Sequence, residues 1–133
     1  MSTSLAENAS AERLSLDIAP DAAHVLTARS FAGAVTRSLE LDDETADVLR
    51  LTLSEICSEA IEQNRGGRIV IEVSLDTDPV RVTVVASGVR GDQAHGDSIE
   101  VPLRRTLIEA LVPGTRFDDR PERLAVMFTL QPN

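Results

Sequence analysis

The sequence predicts an α/β domain of the α+β sandwich type, a mixed, mostly antiparallel sheet with its helices packed on one face. Three features point to it. The apolar residues switch along the chain between a period of two and steps of three and four. Two helix-like segments follow one another with no strand between them. Two short alternating segments then come in succession, joined by a connector short enough for a hairpin. A doubly wound parallel sheet alternates strands and helices, so this succession argues against one. The predicted order is β-α-α-β-β-α-β-β.

Residues 1–12 are small and polar without a period, and read as a flexible N-terminal tail ahead of a single domain over 13–133. Leu14, Leu16 and Ile18 alternate with Ser15 and Asp17, which predicts a half-buried strand ended by Pro20-Asp21. Asp21 suits a helix cap. Val25, Ala28, Ala32, Val35 and Leu39 then mark the inner stripe of a first helix. Leu41-Asp42-Asp43 breaks it, and Asp42 can cap a second. In that second helix Leu49, Leu53, Ile56 and Ala60 form the inner stripe, widened by Val48, Leu51, Cys57 and Ile61, until Gly66-Gly67 stops it.

Ile69, Ile71 and Val73 define one strand, and Val80, Val82 and Val84 the next. The connector Leu75-Asp76-Thr77-Asp78-Pro79 makes them antiparallel neighbours. The stretch 87–98 is rich in Gly, Asp and Ser and reads as a loop. A third helix is expected from near Pro102, with Leu103, Leu107, Ile108 and Leu111 inward and Pro113-Gly114 at its end. A short strand around 115–117, a turn over 118–122 and a last strand carrying Leu124, Val126, Phe128 and Leu130 complete the chain.

Composition narrows the function. The chain has 133 residues, 42% of them hydrophobic, which is one ordinary domain with enough core to fold without a disulfide or metal. Its one cysteine, Cys57, lies in an apolar stretch and is expected to pack as a small hydrophobe, which fits a reduced, cytoplasmic setting. The first residues lack the basic and apolar regions of a signal peptide, and no apolar run approaches the ~20 residues of a membrane span. A net charge of −9 disfavours direct contact with nucleic acid and anionic lipid and suits a partner with a basic face. No Trp or Tyr is present to stack on bases. The histidines, His24 near a helix start and His95 in the loop, form no metal-ligand spacing, so no metal site is predicted.

The informative stretch is the second helix and the hairpin behind it. It contains Glu55-Ile56-Cys57-Ser58-Glu59-Ala60, then Ala86-Ser87-Gly88, and further on Pro102-Leu103-Arg104. With the element order and the domain size, these residues resemble the GHKL-type, histidine kinase-like ATPase (Bergerat) fold, in the small branch that contains bacterial anti-sigma factor serine kinases. The resemblance covers about residues 13–133.

That branch carries Glu-x-x-x-Asn-Ala on the second helix. The resemblance implies that Glu55 is the remnant of the catalytic base. Glu59 replaces the Asn that holds Mg²⁺. The branch has Asp-x-Gly after the hairpin's second strand, to receive adenine. Here Gly88 is kept, but Ala86 replaces the Asp and cannot accept a hydrogen bond. The phosphate-binding Gly-x-Gly at the third helix corresponds to about Pro102-Leu103-Arg104, without either glycine and with one N–H removed by proline. Apart from any family, Glu55 and Glu59 are acids one helical turn apart, either solvated or facing a pocket.

The resemblance thus implies a regulatory protein that binds a sigma factor and/or an anti-sigma antagonist, with no cofactor and no ATP hydrolysis. One alternative is an active ATP-dependent serine kinase using Mg²⁺-ATP, with Glu59 as metal ligand. Another is a structural or homodimerisation domain.

Overall fold

The computed structural model describes residues 12–91 and 100–131. The predicted tail, apart from Glu12, and His95 lie outside them. The elements come in the expected order: β1 (Arg13–Ile18), α1 (His24–Leu39), α2 (Asp43–Glu62), β2 (Ile69–Ser74), β3 (Val80–Ser87), α3 (Glu100–Leu111), β4 (Arg116–Arg120) and β5 (Arg123–Leu130).

The strands form one sheet in the order β1-β2-β3-β5-β4. Every pairing is antiparallel, so the sheet is not mixed at any point. β3 lies at its centre because α3 leaves its end and β5 returns beside it, with Val82 opposite both Val73 and Phe128, and Val84 opposite both Ile71 and Val126. The alternation seen in the sequence sends these residues, with Ile69, Val80, Ala86, Leu124 and Leu130, to one face, where all are buried. Ala28, Ala32 and Val35 of α1, Leu49, Leu53, Ile56 and Ala60 of α2, and Ile108 of α3 close over them in a single core.

Local chemistry sets the element ends. The Asp42 carboxylate accepts from the Thr45 N–H at 2.9 Å and caps α2. The expected Asp21 cap does not form: the N-cap of α1 is Ala23, with no side-chain cap bond, and Asp21 accepts from the Ala23 N–H at 3.0 Å in the turn before it. α1 ends where Glu40 takes a left-handed conformation.

Two further details depart from the sequence expectation. Leu51 of α2 faces solvent, as do Leu103 and Leu107 of α3, which are 62% and 44% exposed. Strand β4 runs on through Asp118 and Asp119, residues expected in a turn, and the turn shrinks to Pro121-Glu122. α3 begins at Glu100, which puts Pro102 in its first turn, as expected. The exposure of Leu103 and Leu107 and the extension of β4 share a cause: two arginines of α3 turn inward and meet carboxylates on α2 and β4.

Candidate functional site

The C-terminal half of α2, the end of β3, α3 and β4 meet at one end of the sheet. Helical spacing places Glu55, Glu59 and Glu62 along the side of α2 that faces α3. Arg104 and Arg105 of α3 meet this acidic row. Arg104 donates through both terminal nitrogens to the Glu62 carboxylate, at 2.8 and 3.0 Å, and through Nε to Glu55 Oε1 at 3.2 Å. Paired N–H donors on one carboxylate make the directional fork that lysine cannot form.

Arg105 reaches deeper. Its Nε donates to both oxygens of Glu59, at 3.2 and 2.9 Å, and its Nη2 also contacts Glu59 Oε2. The same Nη2 donates to Asp119 Oδ2 at 2.9 Å. The guanidinium lies 4.7 Å from the Phe117 ring centroid, within cation–π range. Glu59 is only 1% exposed, so this is a buried acid with a dedicated cation. The reading in which Glu55 and Glu59 are a solvated pair therefore fails: Glu59 is buried, and both acids are ion-paired across a helix interface.

Asp119 is the second hub. Besides Arg105 it receives Arg65 Nη2 at 2.8 Å and Arg90 Nη2 at 2.7 Å. Gln63 links the hubs: its amide nitrogen lies 3.3 Å from Asp119 and 3.4 Å from Glu59, while its oxygen accepts from Arg65 Nε at 2.6 Å. Arg65 also donates to the carbonyls of Gly88 and Pro121, at 2.9 and 3.0 Å. The charges shape one another. Burial works against charging Asp119, but hydrogen bonds from Arg105 and Arg90 outweigh it and hold the carboxyl below its usual range. Burial likewise opposes the Arg105 charge, and the bonds to Glu59 and Asp119 still hold that guanidinium above its ordinary value. The Glu62 bonds do the same for Arg104. In Arg65 burial prevails over Asp119 and lowers the pKa.

Of the remaining predicted positions, Gly88 joins this network only through its carbonyl, which accepts from Arg65, and Ala86 and Pro102 stay outside it. Ala86 is buried in the core, paired across the sheet with Ile69 and Leu124. Gly88 has φ +107°, and a Cβ there would overlap the Arg65 carbonyl, so glycine is required by the close approach of the α2–β2 connection. Its N–H donates to the Glu122 carbonyl at 3.0 Å. Pro102 is exposed, and its carbonyl accepts from the Thr106 hydroxyl at 2.9 Å. The structure thus brings together Glu55, Glu59 and Arg104, and keeps Ala86 and Pro102 apart from them.

Sequence reading missed Arg105, Asp119, Arg65 and Gln63. One signal for Arg105 was available. Three glutamates spaced four and three apart on a helix face, in a chain with a later Arg-Arg pair, call for cations opposite them. Asp119 carried no such signal, because its value depends on β4 continuing past the expected turn.

The family described as the histidine kinase-like ATPase domain matches residues 18–123, and the chain belongs to that family. No curated protein matches it significantly. Among solved structures, the fold is similar to that of a chain with the RsbU and RsbW domains of Rv1364c from Mycobacterium tuberculosis, with a TM-score of 0.72 and 19% identity over 91% of this chain. The present chain spans 32% of the length of that one.

A family of ATPases implies Mg²⁺-ATP, and the residues here do not fit it. Glu59, the residue the resemblance puts in place of the metal-holding Asn, is buried against Arg105 and turned to a guanidinium instead of an open space. Ala86, which the resemblance sets at the adenine-acceptor position, has a buried methyl group that accepts no hydrogen bond. The arginines that could otherwise attract phosphates are already bonded to Glu55, Glu59, Glu62 and Asp119. Among the described residues no group of three or more His, Cys, Asp or Glu side chains can hold a metal ion, and no helix is long and apolar enough to cross a membrane.

Proposed function

We propose that this chain is an anti-sigma-factor-like regulatory module that binds a sigma factor, or the protein antagonist of an anti-sigma factor, without binding or hydrolysing ATP. Membership of the histidine kinase-like ATPase domain family supports the scaffold, and the RsbU–RsbW likeness supports the choice of regulatory branch. The observation that supports the nucleotide-independent part is the buried Glu59–Arg105 pair, since the residue taken as the metal-ligand replacement already has a protein cation. A net charge of −9 favours a partner with a basic surface, since complementary fields speed encounter and reject like-charged competitors. Leu103 and Leu107, one turn apart on the outer face of α3, add apolar surface of the kind protein contacts use. A protein acting on sigma factors works in the cytoplasm, and self-association into a homodimer is compatible with the same role.

The test is direct titration of the purified chain with sigma factors and anti-sigma antagonists from its own genome, with and without Mg²⁺-ATP. Binding of one of them, equal with and without nucleotide and unchanged by Glu55→Gln, is expected. Transfer of phosphate to an antagonist, lost on Glu55→Gln, would establish the kinase in its place. Self-association with no bound partner would leave a dimerisation domain.

A further inference from the structure

The two halves of α3 are attached to the domain by different forces. Its C-terminal half is anchored by apolar packing, with Ile108 buried, Leu111 half-buried and Val112 buried just beyond the helix end. The N-terminal half has no such anchor among its described side chains: Pro102, Leu103, Thr106 and Leu107 are exposed. Arg104 and Arg105 are its inward residues, and both end in carboxylates of α2 and β4.

We infer that Arg104 and Arg105, through Glu55, Glu59, Glu62 and Asp119, are the positioning residues that dock the N-terminal half of α3. They form a permanent internal strut that makes the placement of this helix independent of any bound ligand. The inference stands on the contacts alone and deepens the proposed role by explaining how α3 is presented without nucleotide.

The physics favours a strut over ordinary surface ion pairs. Exposed pairs contribute little because water screens both partners. Here Glu59 is out of water, and its main partner is a guanidinium held in turn by Asp119 and by the Phe117 ring. Undocking the helix start would strip Glu59 of its guanidinium and leave it only the 3.4 Å contact from Gln63. The fork of Arg104 on Glu62 fixes the helix azimuth, because two parallel N–H bonds tolerate little rotation.

The experiment is residue-resolved amide hydrogen exchange on the full chain, comparing the native protein with the double variant Arg104→Gln/Arg105→Gln. Helical amides from Arg104 to Ile108 report docking of α3, and amides of β2, β3 and β5 report the sheet. The expected result is that the α3 amides lose nearly all protection, while the sheet amides stay at least a hundredfold slower than unprotected chain. Retained protection in α3, within tenfold of the sheet, would overturn the inference, as would loss of protection in sheet and helix together. If the double variant does not fold, Arg105→Lys keeps the charge without the fork. There α3 exchange should rise at least tenfold more than sheet exchange, and an equal rise would overturn the inference. Nucleotide binding is read separately by titration, so the proposed function and the strut stand or fall by different results.

Discussion

Removing the guanidinium of Arg105 while leaving Glu59 in place is the most revealing perturbation of this domain. Glu59 is 1% exposed, and in Arg105→Met its only remaining described partner is the amide of Gln63 at 3.4 Å. Stranding one member of a buried ion pair costs about 3–5 kcal/mol. The Arg105 side chain is 29% exposed, so water reaches part of the pair and the lower end, about 3 kcal/mol, is expected. For a domain of this size that corresponds to a fall in Tm of roughly 10–15 °C.

The converse change, Glu59→Gln, is milder, because Arg105 keeps Asp119 and its contact with solvent. About 1 kcal/mol is expected. The double variant Glu59→Gln/Arg105→Met contains no stranded buried charge and should be more stable than Arg105→Met alone. The assay is urea unfolding followed by far-UV circular dichroism, since the chain has no Trp or Tyr to report by fluorescence. The midpoint should move and the slope should not. An Arg105→Met variant within 1 kcal/mol of the native protein, or a double variant as unstable as the two single losses added together, would refute the reasoning.

Three further outcomes follow from the same geometry. Gly88→Ala forces a side chain into φ +107° and against the Arg65 carbonyl, and should cost at least ~2 kcal/mol in the same unfolding assay. Asp119 contributes a pH dependence. Its folded pKa lies below the ordinary carboxylate value, so its stabilisation is complete above about pH 5 and is lost as the pH falls through the ordinary value towards the depressed one. Arg65, Arg90 and Arg105 are the cations facing it, and Asp119→Asn should flatten the acid limb of stability against pH. Burial pushes the Cys57 thiol up to about 12, so native protein should resist iodoacetamide at pH 8 while urea-unfolded protein reacts at the rate of a free thiol, as mass spectrometry would show.

The sequence carried the architecture well where one local rule decided the outcome. Asp42 caps α2 because a carboxylate before a helix has backbone N–H groups to satisfy. The period-two segments became β2 and β3 in hairpin register because each had only one apolar face to bury. Reading failed where a long-range partner overrode local pattern. Leu103 and Leu107 fit an inward helical stripe as well as Ile108 does, yet α3 is rotated so that Arg104 and Arg105 meet the acids of α2. Asp118-Asp119 looks like a turn and is a strand, because the Asp119 carboxylate is in demand from three arginines.

The site was half readable for the same reason. Substitution of Glu59, Ala86 and the glycines at Pro102 and Arg104 could be seen by comparison with the family pattern. That Glu59 has a new cation could not, because it depends on the rotation of a helix more than forty residues away. Gly88 was expected to serve a base-binding turn, and the structure gives it a different necessity, the close passage of Arg65.

Calorimetric titration of the intact chain with Mg²⁺-ATP and Mg²⁺-ADP tests the account most directly. With Arg105 bonded to Glu59 and Asp119, and Arg104 to Glu55 and Glu62, no heat of binding is expected up to millimolar nucleotide, a Kd weaker than about 1 mM. Saturable micromolar binding that Glu59→Ala or Glu55→Ala weakens would contradict it, and would mean that the arginine network opens to admit a nucleotide.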